Sequence, residues 1–131
     1  MKIRVYYEDT DCGNVVYYAN YLKYMERGRT ELMRERGVTF ARYHKEGLMF
    51  VVAEASLKYH APAVYDDLLD METRAAAVSP VSIVFQTTIR NEKGFHLVTG
   101  EVKVACVNRE GKVRRIPAEI LERISQGHAK E

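Results

Sequence analysis

Asp9, Thr10 and Asp11 open a run of turn-forming residues, Asp9-Thr10-Asp11-Cys12-Gly13-Asn14, shortly before a stretch with helical periodicity. Such residues hydrogen-bond their own backbone or accept left-handed torsions. A carboxylate held beside a helix start can attack a carbonyl, or activate the water that does. The free N–H groups and dipole of the helix polarise the carbonyl oxygen meanwhile. The same residues would also close an Asx-type turn and cap the helix with no chemistry at all. On the residues alone both readings stand.

Other reactive side chains give weaker patterns. Cys12 follows directly on Asp9 and Asp11, and nearby carboxylates oppose formation of a thiolate, so it reads as a bystander. His44, His60, His96 and His128 have neither helical-spacing partners nor paired cysteines, which argues against a metal site and predicts no metal and no cofactor. Glu26 with Arg29 and Glu31 reads as an intrahelical charge set on a solvated face, or as a helix carboxylate available for acid–base work.

The elements that must position the acidic turn follow from periodicity. Ile3 to Glu8 is an apolar, β-branched and aromatic run that predicts a strand. From about Tyr18, Tyr21, Leu22, Met25, Gly28, Leu32 and Met33 recur at three- and four-residue steps, predicting a helix that ends at Gly37. Gly28 in mid-helix costs about 1 kcal/mol relative to Ala, which a close approach of a strand would justify. A short helical segment is expected at Phe40 to Glu46. Strands are expected at Phe50–Tyr59, Leu68–Ala77, Val81–Arg90 and Phe95–Val107, with a tight connection at Asn91-Glu92-Lys93-Gly94. Lys112 to Ile116 adds a candidate short strand, and Pro117 opens a last helix through Ile124. One long helix followed by an antiparallel meander is an α+β pattern.

The 131 residues suit a single domain, 1–131, with a real core. A hydrophobic share of 47% beside 29% charged residues excludes a disordered chain. No apolar run nears the roughly 18 to 20 residues of a membrane helix, and Glu8, Asp9 and Asp11 interrupt any secretory leader. Cys12 and Cys106 read as reduced thiols, so a cytoplasmic address is expected. A net charge of +2 with no basic-aromatic face argues against nucleic acid.

The run Val5-Tyr6-Tyr7-Glu8-Asp9-Thr10-Asp11-Cys12-Gly13-Asn14 through Arg29 resembles the signature of the hotdog-fold acyl-CoA thioesterases, in their YbgC-like and 4-hydroxybenzoyl-CoA thioesterase branches. Lys58 to Leu69, Ser82-Ile83-Val84-Phe85 and Arg114-Arg115-Ile116-Pro117 match further blocks in the right order, so the resemblance spans nearly the whole chain. It implies a hotdog fold, a long central helix wrapped by a five- to six-stranded antiparallel sheet, and hydrolysis of an acyl-CoA thioester. Asp11 matches the catalytic aspartate, as nucleophile through a mixed anhydride or as base for water. The backbone N–H near Tyr18 would face the thioester oxygen, and Tyr7 matches a site tyrosine. Many YbgC-like proteins have His where this chain has Tyr18, so an imidazole role at that position is absent.

For the CoA moiety, the expected binding groups are strand backbone from Val51 to Leu57, with Tyr59, and Arg114 and Arg115 as partners for the phosphates. The resemblance further implies a homo-oligomer, a dimer joined edge to edge or a homotetramer, with the site between subunits. The rival reading is a non-catalytic binder of acyl-CoA or acyl carrier protein, which would have no use for Asp11. A hotdog dehydratase would want a His in the helix or acidic turn, and none occurs there.

Overall fold

A computed structural model describes residues 1–129, with side chains to Ser125. Its elements are β1 (Lys2–Arg4), a 3-10 turn (Tyr7–Asp9), α1 (Asn20–Glu35), α2 (Phe40–Lys45), β2 (Met49–Tyr59), β3 (Leu68–Val78), β4 (Ser82–Arg90), β5 (His96–Val107) and α3 (Ala118–Ala129). The strands form one antiparallel sheet in the order β1-β3-β4-β5-β2. This is the hotdog arrangement, with α1 as the inner helix.

Why α1 lies where it does follows from its apolar stripe. Tyr21, Tyr24, Met25, Gly28 and Met33 are its buried positions, and they meet inner-face residues such as Met71, Phe85, Ile89 and Val102 in one core. The helix runs close to β3 at Gly28. A Cβ there would stand 2.6 Å from Thr73 Oγ1 and 2.9 Å from Met71 Cε. Replacing Gly28 by Leu should therefore cost about 3 kcal/mol through overpacking, seen as a lower urea midpoint at constant slope. An unchanged midpoint would mean that the helix sits farther from the sheet.

The two faces of the sheet differ. Directly opposed residues share a face, so Ser56, Glu101, Gln86 and Arg74 form one outer row, and Lys58, Thr99, Thr88 and Glu72 the next. The inner rows hold Leu57 and Gly100, then Tyr59, Val98, Ile89 and Met71. Register shifts between Val52 and Glu54 and between Ala75 and Ala77 mark one bulge in β2 and one in β3. β2 is an edge strand eleven residues long. Helix α1 packs mainly on β3 and β4, and on the inner face of β2 it leaves Val52 uncovered, 54% exposed.

Two expected strands come out differently. The run Ile3 to Glu8 pairs only through Arg4, with Val5 continuing by bonds to Asp66 and Asp67. Asp9 Oδ2 then accepts from the Tyr6 N–H at 2.9 Å, and Thr10 Oγ1 donates to the Tyr7 carbonyl at 2.7 Å. These side chains capture the backbone and wind Tyr7–Asp9 into a 3-10 turn. Lys112 to Ile116 makes only a single bridge, Val107 to Val113. Asn108 Oδ1 holds the N–H groups of Glu110 and Lys112, and the Ile116 N–H is drawn to the Pro80 carbonyl. Helix α1 begins at Asn20, two residues after Tyr18, and α3 runs past Ile124 to Ala129.

Three tyrosines tie the fold to alkaline pH. Burial raises the phenols of Tyr24, Tyr21 and Tyr43, with Asp9 adding to the effect at Tyr24 and Glu119 at Tyr43. Since the folded values exceed the unfolded one near 10, their contribution is complete below about pH 10 and is lost as pH rises past it. Melting temperature should drop above pH 10, and less so in Tyr24→Phe. Parallel curves for both proteins would remove Tyr24 from this account.

Candidate active site

The acidic turn is held from several sides. Asp11 N–H donates to the Val15 carbonyl and Asn14 N–H to the Asp11 carbonyl, while Asn14 takes a positive φ of 64°. Bridges Thr10 to Val16 and Val15 to Val64 pin the turn to the segment before β3. Tyr17 N–H and Asn20 Nδ2 both donate to the Asp9 carbonyl, which fastens the turn to the first residue of α1. Asp67 Oδ2 in turn accepts from the Val64 N–H at 3.0 Å, closing the loop underneath.

Within this frame Asp11 is exposed. Its Oδ1 accepts from the Gly13 N–H at 2.8 Å, and Oδ2 makes no hydrogen bond among the described residues. Asp11 is close enough to contribute to raising the Tyr17 phenol, after the larger effects of Tyr18 and of burial. Tyr17 and Tyr18 rings lie 4.8 Å apart. The Tyr18 N–H has no intramolecular acceptor among the described residues, the condition for a donor that an incoming oxygen could use. Tyr59 reaches over from the end of β2: its hydroxyl donates to the Tyr18 carbonyl at 3.1 Å, and its ring packs 5.7 Å from Tyr21. A shallow groove runs here past Tyr18 and Tyr59 to His60 and Pro62.

The other expected site residues are spread out. Tyr7 stands on the surface with its ring edge-on to Tyr65 at 5.9 Å. Leu57 is half-buried near Gly100 on the inner face. Val51 borders a separate cavity of about 510 Å³ between α1, α2 and β2, walled by Phe40, Leu48 and Phe50 and edged by Glu26 and Arg29. Sequence reading gave no hint of it, because its walls come from three elements. The ion pair that forms on α1 is Glu31 with Arg34, at 3.0 Å. Arg114 and Arg115 are exposed beyond the end of β5. That is the end of the sheet where β2 starts, whereas Tyr59 is where β2 finishes, about 33 Å away at 3.3 Å per residue.

His60 and His96, unrelated by spacing, meet on the outer face with rings 4.5 Å apart. His44 borders the large cavity, and the His128 side chain lies outside the described residues. Among the described residues no three His, Cys, Asp or Glu gather into a metal-binding group, and no helix is long and apolar enough to cross a membrane.

An inner helix on an antiparallel sheet of this strand order defines the hotdog class of folds. The comparisons narrow this. Residues 13–95 match the model of the Thioesterase superfamily, from just after Asp11 to the β4–β5 connection. The acyl-CoA thioester hydrolase YbgC of Escherichia coli O6:H1 is 38% identical over 125 residues, 95% of this chain and 93% of that one. The acyl-CoA thioesterase YbgC of Haemophilus influenzae is 43% identical over 116 residues, covering 87% and 83%. The DHNA-CoA thioesterase structure from Staphylococcus aureus superposes with a TM-score of 0.94 at 25% identity, covering 98% and 89%. The chain belongs to the Thioesterase superfamily.

Proposed function

We propose that this protein is an acyl-CoA thioesterase in which Asp11 carries the reaction. The observation that supports this most directly is that, among the described residues, Asp11 keeps an exposed carboxylate oxygen without a partner and Tyr18 an N–H without an acceptor, on a turn fastened to the first residue of α1. The thioester oxygen would take the Tyr18 N–H as negative charge builds on it. Asp11 then either attacks the carbonyl, giving a mixed anhydride that water hydrolyses, or takes a proton from the water that attacks. In both routes the C–S bond breaks, CoA leaves as thiol after protonation, and the acid is released.

The protomers would join along β2 as an antiparallel dimer, whether or not dimers pair again to a homotetramer. An edge strand this long and apolar needs cover. For a pairing centred on Glu54, the middle of β2, the start of one strand meets the end of the other. The cavity beside Val51 would then open toward the Tyr18–Tyr59 groove of the second copy and give the acyl group its room. Tyr7 would stand at the rim, and one domain, 1–131, would do this work in the cytoplasm.

A panel of short, long and aromatic acyl-CoA esters, read by release of free thiol, tests the reaction. Turnover of some member supports it and ranks the acyl groups. Saturable binding without turnover across the panel would make the chain a binder of acyl-CoA or of acyl carrier protein instead.

A further inference from the structure

On the outer face of the sheet, at the end where β2 finishes, two histidines meet at one hydroxyl, with a lysine and an arginine at the neighbouring cross-strand positions. Thr99 Oγ1 lies 2.7 Å from His96 Nε2 and 3.2 Å from His60 Nε2. Lys58 is the cross-strand neighbour of Thr99, and Arg90 that of His96, so both lie on this face. Lys58 and Arg90 are exposed, and neither has an ion-pair partner among the described residues. The hydroxyl has a single proton and can donate to only one imidazole, so the other ring must present its own N–H to it. The result is a pair of rings held at Thr99, on a face that also carries the unpaired Lys58 and Arg90.

Acidic neighbours do little to cancel this. Asp70, opposite Arg90, is engaged by Lys2 at 3.5 Å and by the terminal amine at 3.9 Å. Glu101 lies one row farther along the same face, and Glu72 at the far end of the Lys58 row, with Thr99 and Thr88 between. A concentrated positive patch with hydroxyl and N–H donors suits a phosphate ester.

Continuity joins the patch to the candidate site. The groove that begins at Tyr18 ends at His60, and the His60 ring is the one that turns to Thr99 on the outer face. A pantetheine arm leaving the site past Tyr59 would come out beside it.

We propose that Lys58, His60, His96, Thr99 and Arg90 form the subsite for a phosphate of the thiol carrier. This rests on the thioesterase reading, and within one protomer it lies nearer the Tyr18–Tyr59 groove than Arg114 and Arg115 do. The shared chemistry is a phosphate ester at the end of pantetheine, supplied either by CoA or by the phosphopantetheine of a carrier protein.

The test offers one acyl group on three carriers: CoA, 4′-phosphopantetheine and pantetheine. Wild type should prefer CoA over pantetheine by about tenfold in kcat/KM, through KM, as a few partly exposed charge contacts allow. In Lys58→Ala/Arg90→Ala, and separately in His96→Ala, that preference should collapse toward one. Phosphopantetheine matching CoA would point to the phosphate a carrier protein also has, and a preference for CoA alone to its nucleotide end. Both support the subsite. A preference that survives these substitutions, or that is lost in Arg114→Ala/Arg115→Ala instead, overturns it. If wild type turns over none of the three, the thioesterase reading fails. The subsite is then read from CoA binding by calorimetry, which the double substitution must weaken or the proposal falls.

Discussion

Asp11→Asn should lower kcat about a thousandfold, within the range that loss of a positioned acid–base group or nucleophile brings. That factor is roughly 4 kcal/mol of lost transition-state stabilisation. The substitution is informative because it removes charge and keeps shape. Asn retains an oxygen that can accept from the Gly13 N–H, so the turn keeps its internal bond. Bonds from Tyr17 and Asn20 to the Asp9 carbonyl continue to fasten it to α1. Binding of a non-hydrolysable thioether analogue should persist within a few-fold while release of free thiol disappears. Turnover equal to wild type would make Asp11 a turn residue and no more.

The second large effect is expected at Val52. It stands on the inner face of β2, opposite the buried Val104 and uncovered by its own helix. Val52→Asp puts a charge on the edge that two copies would share, twice over in a symmetric pair. The chain should sediment as a monomer at micromolar concentration, keep its circular dichroism, and lose most of its turnover. The loss would follow because the acyl cavity of one copy would no longer meet the Tyr18 groove of the other. A variant that stays oligomeric and active would show that the protomers join by another surface.

Much of this architecture was legible because it is local. The three- and four-residue rhythm of Tyr21, Met25, Gly28 and Met33 is written along one helix, and the Gly28 contact with Thr73 bears out the close approach that its cost in mid-helix suggested. The Asn91–Gly94 connection follows from its residues too: Asn91 Oδ1 accepts from the Lys93 and Phe95 N–H groups, and Gly94 has a φ of 84°. What could not be read is what depends on distance in sequence. His60 and His96 are brought together by the pairing of β2 with β5, which no spacing rule contains. The large cavity needs α1, α2 and β2 at once. Tyr43 meets Glu119 across the chain, its hydroxyl donating at 2.8 Å. The early end of the strand expected at Ile3–Glu8 has a different cause. Its apolar residues are right for a strand, but Asp9 outcompetes the sheet for the Tyr6 N–H.

The bulge in β2 works as a parity bit. Before it the even-numbered residues Phe50 and Val52 face inward, and after it the odd-numbered Ala55, Leu57 and Tyr59 do so. Ala53 is the extra residue that changes the count. Loss of one codon there would keep every remaining pair, Val52 with Val104 and Glu54 with Lys103, and every side chain on its present face, but would remove the bend and extra twist that the bulge gives the strand. Phe50, 5.0 Å from Phe40, would stay inward, and what would change is the angle at which its half of the strand meets the cavity. Among related sequences, length should be kept more strictly than identity at that point.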